Sequence, residues 1–198
     1  PIAAKKITLK RAGIIGISVL CTSLIYFFNF ERDALLFVLA YVIIMILYCF
    51  YFRKVSIIDV LFISIGFVLR LFIGGEISST KISLWIILMV FLLSLFIAFS
   101  KRRDDLINGN SSFRESLSGY NLSFINTVIT ILVPIVIVSY ILYCTSDSNI
   151  LRISEHIYLT TLFVIVGFIR YLQLIFVKNL GGDPVQLIYT DLTLKIIV

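Results

Sequence analysis

Residues 101–105 (KRRDD) place three cations and two carboxylates side by side, directly after a long apolar run that ends at Phe99. A basic segment is typical of a loop beside a membrane, but such a loop does not require acids. Arg binds phosphate through paired hydrogen bonds, and Mg²⁺ binds one or two carboxylates together with ligand phosphate oxygens. The pattern favours a site for a polyanion held with Mg²⁺, with Asp104 and Asp105 as metal ligands; a plain membrane-edge anchor is the alternative.

Three further charged residues lie inside apolar runs, where charge is costly without a partner or water. Asp59 comes about one turn into its run, so it either caps a helix N-terminus or lines a polar cavity. Arg70 lies near the other end of the same run and either extends its charge to the membrane surface or lines that cavity. Arg170 lies deep in a later run and predicts a structural or substrate-binding role inside a bundle.

The composition identifies the environment of these residues. Of 198 residues, 60% are hydrophobic, against about 45–50% in soluble domains, so the bilayer is the expected solvent. No basic soluble module accompanies the net charge of +6, which argues against nucleic-acid binding. Isolated cysteines and a single histidine, His156, give no zinc site, disulfide framework or nucleophilic triad. We expect an all-α fold, a polytopic transmembrane helix bundle forming one membrane domain over residues 1–198.

Six apolar stretches approach the length of about 20 residues that a span needs. They cover residues 12–28, 34–51, 55–73, 84–99, 122–143 and 157–177, and a seventh run begins at Leu192. With the N-terminus placed in the cytoplasm, 12 of the 17 cations fall in inner segments and 3 in outer ones. The positive-inside rule therefore predicts this orientation. A signal peptide is the weaker interpretation of the basic N-terminal segment, because no small-residue cleavage site follows it.

Four segments together resemble the UbiA superfamily of intramembrane prenyltransferases, and most closely its polyprenyl-phosphate phosphoribosyltransferase branch. They are YCFYFRKVSIIDVLFISIGFVLRLFIGG, FLLSLFIAFSKRRDDL, FRESLSGYN, and GFIRYLQ followed by GGDP and a later Asp. The initial PIAAKKIT is similar to the segment that follows the first aspartate-rich motif of the superfamily. The resemblance extends over nearly the whole chain.

This resemblance implies a nine-helix bundle in a bacterial cytoplasmic membrane, with its active site facing the cytoplasm. It implies transfer of 5-phosphoribose from phosphoribosyl pyrophosphate to a polyprenyl phosphate, release of pyrophosphate, and dependence on Mg²⁺. The six spans would be the third to the eighth helices. The chain is then expected to lack the first two helices with their aspartate-rich motif, and the last helix, and to be inactive by itself. The catalytic residues stay unknown for that reason.

The resemblance also implies site residues. The positions that match phosphate-binding ones are Tyr48, Arg53, Lys54, Lys101, Arg102, Arg103, Arg114, Tyr120 and Arg170. Asp59 and Arg70 match cavity positions, and Asp105 matches a metal ligand, with Asp104 beside it. Two positions depart from the pattern of the branch: Asp105 stands where Glu is common, and Arg53 where Lys is more usual.

Two other functions remain open. A prenyltransferase of the same superfamily would move a prenyl chain from its diphosphate to an aromatic or other acceptor, but the DxxxD motif typical of those enzymes is not found. A non-catalytic transporter or scaffold is expected to show internal repeats, and none is convincing. The expected partners are the two phosphate substrates and the lipid bilayer; the oligomeric state is open, a homo-oligomer included.

Overall fold

The computed structural model describes residues 8–108, 115–146, 156–178, 187 and 189–197. Its α-helices, in chain order, are α1 (Leu9–Phe30), α2 (Arg32–Phe50), α3 (Ile58–Ile77), α4 (Leu84–Ile107), α5 (Leu122–Cys144), α6 (Thr160–Phe176) and α7 (Leu192–Ile197). Short 3₁₀ turns at Phe52–Lys54, Glu115–Gly119 and Ile157–Leu159 precede α3, α5 and α6. The described part of the chain contains no β-strand, which confirms the predicted all-α fold.

Within the described residues, six helical stretches are long and apolar enough to cross a membrane. Large apolar side chains stay exposed along them, including Ile14, Leu36, Ile131 and Leu162. In water such surfaces would be unfavourable, whereas hydrocarbon solvates them. The chain is therefore an integral membrane protein, as its composition predicts.

Polar caps fix two helix starts where the sequence predicted them. The side chain of Ser83 accepts a hydrogen bond from the N–H of Trp85 at 3.2 Å, and α4 begins at Leu84. Asn121 accepts from the N–H of Phe124 at 2.7 Å, and α5 begins at Leu122. Both caps satisfy an N–H that the first helical turn leaves without a partner.

Several predicted boundaries were wrong, those at the end of the fourth span and the start of the third among them. We expected the fourth span to end at Phe99 and the charged residues to lie on a loop, but α4 continues to Ile107. Lys, Arg and Leu favour helix, and no Gly or Pro interrupts the chain before Gly109. The third helix begins at Ile58 because a 3₁₀ turn and the positive φ of Ile57 (69°) precede it. The sixth candidate span, Ile157–Phe176, begins where predicted, with a 3₁₀ turn before the α-helix.

The described residues form two compact units. The first comprises the residues up to Ile43 together with Leu69–Lys81, and in it the rings of Phe37 and Phe72 stack with centroids 5.2 Å apart. The second comprises Ile44–Val68 and the described residues from Ile82 onward. The assignment of the chain to one membrane domain stays a prediction.

The core of the second unit lies among α4, α5 and α6. Its fully buried side chains include Ile125 and Ile129 of α5 and Leu174 and Ile175 of α6. On α4, Phe96 packs its ring edge-on against Phe168, with ring centroids 5.3 Å apart. This apolar packing fixes α4, which carries the charged residues 101–105, against α5 and α6.

Candidate functional site

Several charged residues of the second unit lie together where α3 and α5 begin and α4 ends. The C-terminal turns of α4 contact the start of α3 through Arg102 and Asp59, and the start of α5 through Arg103 and Asn126. Arg103 also lies over the ring of Phe176, at the C-terminal end of α6, with its guanidinium carbon 5.3 Å from the ring centroid. The folding of four helices thus brings residues from distant parts of the sequence to one polar end.

Asp59 is the centre of this polar end. It lies in the first turn of α3 and is 0% exposed. Its Oδ2 accepts hydrogen bonds from Arg102 Nε at 2.8 Å and Ser116 Oγ at 3.0 Å, and its Oδ1 accepts from Tyr120 OH at 2.8 Å. A buried carboxylate is stable only when its oxygens are satisfied in this way. Both oxygens of Asp59 are thus engaged by protein donors, and its assignment to a cavity stays a prediction.

Arg102 links Asp59 to the predicted metal ligand Asp105. Its side chain is almost completely buried, and its Nη1 donates to Asp105 Oδ2 at 3.3 Å. One guanidinium thus lies between two carboxylates, a fully buried one and a partly exposed one. The forked shape of Arg allows two acceptors to be bound at once, which Lys in the same place could not do with fixed geometry.

Tyr120 joins the segment before α5 to the segment before α3. Its OH donates to Asp59 and accepts from the N–H of Ile57. Ser56 Oγ donates to the carbonyl of Ser116 at 2.6 Å, so the two segments are joined at a second point. Burial raises the pKa of the Tyr120 phenol above its usual value. The hydroxyl therefore keeps its proton and its donation to Asp59 throughout the neutral range.

Arg103 points to a different side of α4 from Arg102, toward α5 and α6. Its Nε donates to Asn126 Oδ1 at 2.9 Å, and its charge lies over the aromatic face of Phe176. A cation over an aromatic face is stabilised by the ring quadrupole, more so when water is excluded. The guanidinium thus contributes to the packing of α4 against α5 and α6.

Three of the predicted phosphate-binding cations are exposed: Arg53, Lys54 and Lys101. Lys54 Nζ lies 3.1 Å from Glu115 Oε1, with both side chains more than half exposed, so this ion pair is weak and open to exchange. Tyr48 is half-buried and within electrostatic range of Arg53, Asp59 and Arg102. These exposed groups are the ones that a ligand could reach without displacing a buried contact.

The remaining predicted residues lie elsewhere. Arg70 belongs to the first unit, where it donates to the hydroxyl of Tyr41 and lies over that ring. Arg114 lies outside the described residues. Arg170 holds Asp191 through two hydrogen bonds, Nη2 to Oδ2 at 2.7 Å and Nε to Oδ1 at 3.2 Å.

Asp191 uses the same carboxylate to cap the last described helix. It accepts from the backbone N–H groups of Thr193 and Leu194 at the start of α7, at 3.1 and 3.2 Å. The hydrogen bonds from Arg170, helped by those N–H groups, lower the pKa of Asp191 to about 2. Arg170 therefore joins α6 to the start of α7 through Asp191, and its assignment to phosphate binding stays a prediction.

Asp104 and Asp105 would supply part of the oxygen ligands of a Mg²⁺ ion, and a bound phosphate would have to supply others. Among the described residues, no three side chains of His, Cys, Asp or Glu lie close enough to hold a metal by themselves. Asp104 and Asp105 are partly exposed at the end of α4, whereas both oxygens of Asp59 are engaged. Two carboxylates completed by phosphate oxygens of a ligand form a set that Mg²⁺ accepts.

Several residues of this end were not found from the sequence. Ser116 and Gly119 lie in FRESLSGYN, one of the segments that carry the resemblance, but neither residue was singled out there. The backbone of Gly119 approaches Ser56 so closely that a Cβ at this position would lie 2.2 Å from Ser56 Oγ. Asn126 was detectable in principle, because an amide in an otherwise apolar span is unusual and requires a partner.

Comparison with known proteins supplies the decisive observation. Over 148 residues the chain is 28% identical to the decaprenyl-phosphate phosphoribosyltransferase of Corynebacterium glutamicum, an alignment that covers 72% of this chain and 45% of that protein. Over 109 residues it is 29% identical to the decaprenyl-phosphate phosphoribosyltransferase of Mycolicibacterium smegmatis, covering 54% and 34%. The chain is similar to decaprenyl-phosphate phosphoribosyltransferases. Together with the six candidate spans, this confirms the predicted resemblance.

Two facts limit what can be concluded from this similarity. No family model matches the sequence. The chain spans less than half of the length of the two relatives that it matches. What the relatives act on is therefore carried to this chain only as a proposal.

Proposed function

We propose that the chain is part of an integral membrane enzyme that transfers 5-phosphoribose from phosphoribosyl pyrophosphate to a polyprenyl phosphate. The observation that carries the proposal is the similarity to two proteins named decaprenyl-phosphate phosphoribosyltransferases. The polar end of the second unit supports it, since exposed cations and acids lie together there at the end of a helix bundle. We further propose that this end faces the cytoplasm, as the positive-inside rule predicts, and that the membrane is a bacterial inner membrane, as the resemblance implies.

The proposed reaction exchanges one bond for another. The bond between the anomeric carbon of the sugar and pyrophosphate breaks, and a bond forms between that carbon and an oxygen of the lipid phosphate. Negative charge builds on the departing pyrophosphate, so fixed cations near it lower the barrier. Arg53, Lys54 and Lys101 are exposed at the polar end and are proposed to bind phosphate oxygens of the donor and acceptor. Holding both substrates in line supplies much of the remaining rate enhancement.

Asp104 and Asp105 are proposed to hold Mg²⁺ together with oxygens of the pyrophosphate group. When bound, the ion would neutralise charge on the leaving group. The contribution of the chain is to orient the two carboxylates, and for Asp105 the hydrogen bond from Arg102 does so.

The second unit also offers an apolar surface for the lipid tail. A cavity of about 500 Å³ lies among α4, α5, α6 and α7, and its lining includes Phe96, Phe163, Phe168 and Tyr171. An isoprenoid chain there would exchange lipid contacts for contacts with aromatic side chains. The tail would then lie within the bilayer while its phosphate reaches the polar end.

The proposal is tested with membranes that contain the protein at its full natural length. We would supply phosphoribosyl pyrophosphate labelled in the ribose, a polyprenyl phosphate and Mg²⁺, and follow the label into the lipid phase. Lys101→Gln and Asp105→Asn should each reduce transfer by about tenfold or more. Lys81→Gln, which removes an exposed cation on the predicted outer side, should leave the rate of transfer unchanged. Consumption of a prenyl diphosphate instead would indicate a prenyltransferase, and no reaction with either donor would favour a scaffold or transporter.

A further inference from the structure

Asp59 and Arg102 are the two most deeply buried charged residues in the described part of the chain, at 0% and 1% exposure. Each matches a position for which the resemblance implies a role in a cavity or in phosphate binding. A buried ionic pair is retained only where its geometry is satisfied, because removing two charges from water is costly. The contacts of the pair therefore indicate what it does.

The described contacts of the Asp59 carboxylate are all with other side chains of the protein. Both of its oxygens are occupied by protein donors from two other segments: Arg102 on α4, and Ser116 and Tyr120 in the segment before α5. The carboxylate thus joins the starts of α3 and α5 to the end of α4. Releasing Arg102 would leave the buried charge without its cation, and releasing Tyr120 would leave Oδ1 without its donor.

Arg102 is equally unsuited to bind phosphate directly. Its Nε is held by Asp59, and its Nη1 is directed to Asp105. A ligand phosphate that took over this guanidinium would leave the buried carboxylate of Asp59 without its cation, which is strongly unfavourable. The exposed Lys101, one residue earlier, has no such constraint.

The backbone of Ile57 shows that the contact between the segments before α3 and α5 is closely fitted. Ile57, next to the start of α3, has a φ of 69°, which is unfavourable for a β-branched residue. This conformation presents the N–H of Ile57 to Tyr120 OH, which in turn donates to Asp59. Backbone strain of this kind persists only where the surrounding contacts require it.

We propose that Asp59 and Arg102 are positioning residues that contact neither substrate. Together they fix the acidic end of α4, with Asp104 and Asp105, relative to the basic segment before α3, with Arg53. This rests on the proposed function for what the two segments bind. The positioning itself is a property of the fold and is measurable without a substrate.

The first measurement is a distance. Spin labels are attached at Val55→Cys and Ile107→Cys, two exposed positions on the joined segments, with Cys21, Cys49 and Cys144 replaced by Ala. The protein, at its full natural length in detergent, should give a narrow distance distribution, and Asp59→Asn should broaden it. The matched control is Asp33→Asn, which alters an exposed acid in the first turn of α2. An unchanged distance distribution in Asp59→Asn would overturn the proposal, whether or not the protein transfers phosphoribose.

The second measurement separates positioning from direct binding in kinetics. Asp59→Asn and Arg102→Gln should each lower kcat by about 10²-fold, as expected when reacting groups are misplaced by about 1 Å, with the donor KM nearly unchanged. The double variant should lose no more than the worse single one, because the two residues act as one unit. A donor KM raised tenfold or more in Arg102→Gln but not in Asp59→Asn would show direct phosphate binding and overturn the proposal.

Discussion

Asp59 and Arg102 are separated by 43 residues in sequence, and their side chains meet with 2.8 Å between Oδ2 and Nε, out of contact with solvent. The pair joins the first turn of α3 to the last turns of α4. One consequence concerns stability, since removing one member of a buried pair leaves the other without compensation.

Arg102→Ala should destabilise the protein strongly, whereas Lys101→Ala should not. Breaking a buried pair costs about 3–5 kcal/mol, and an exposed substitution changes stability by about 0.5 kcal/mol or less. Lys101 is the adjacent residue on the same helix and is exposed, so it is a matched control. Thermal unfolding in detergent, followed by circular dichroism, measures both variants. Equal melting temperatures would show that the ion pair does not stabilise the fold.

Gly119→Ala should also destabilise the protein, because the added Cβ would lie 2.2 Å from Oγ and 2.8 Å from Cβ of Ser56. The segment before α5 would have to move, and Tyr120 and Ser116 would move with it. Ser56→Gly removes both close contacts, so the double variant should recover part of the lost melting temperature. As a control, Gly13→Ala adds a methyl group where no atom lies within 4 Å and should be neutral or slightly stabilising. No recovery in the double variant would contradict this interpretation.

Ile57→Gly should raise the melting temperature. Glycine adopts the φ of 69° without the steric cost that isoleucine bears, which is about 1–3 kcal/mol. Little apolar burial is lost, since Ile57 is 47% exposed. Ile57→Ala keeps the unfavourable φ and should show no gain. A lower melting temperature for Ile57→Gly than for Ile57→Ala would indicate that the conformation is not strained.

The contact between Asp191 and Arg170 should give a pH dependence in the acid range. The pKa of Asp191 is lowered to about 2 in the folded state, below the value of about 3.9 expected when unfolded. A lowered carboxyl pKa contributes stability that is present above the unfolded value and is lost as pH falls through the folded one. The difference in melting temperature between the wild type and Asp191→Asn should therefore be constant above about pH 5 and shrink between about pH 4 and pH 2. A difference that persists unchanged at pH 2.5 would exclude ionisation as its cause.

The predicted orientation can be checked by labelling. Single cysteines introduced at Lys54 and at Lys81 should differ in their reaction with a membrane-impermeant thiol reagent in intact cells. With the native cysteines replaced, Lys81→Cys should react, and Lys54→Cys should react only after lysis, because the positive-inside rule places Lys54 in the cytoplasm. The reverse result would invert the topology and place the polar end outside.

The sequence by itself determined the membrane class, the number of full-length spans and the starts of α4 and α5. Length and apolar composition decide whether a helix can cross a bilayer, and these are local properties of the chain. Ser83 and Asn121 cap their helices with neighbouring N–H groups, so these starts are also local. The cluster at residues 101–105 stood out because charge at the end of an apolar run is visible without a structure.

Only the tertiary structure decided what the individual charged residues contact. In the sequence, Arg102, Arg103 and Lys101 are three equivalent cations, yet one pairs with a buried acid, one lies over an aromatic ring, and one is exposed. Successive residues of a helix point in directions about 100° apart, so their partners are set by which helices pack on each side. Hydropathy carries no information about these long-range partners. The sequence therefore predicted that Asp59 lies near the start of a helix, but it did not predict which residues Asp59 contacts.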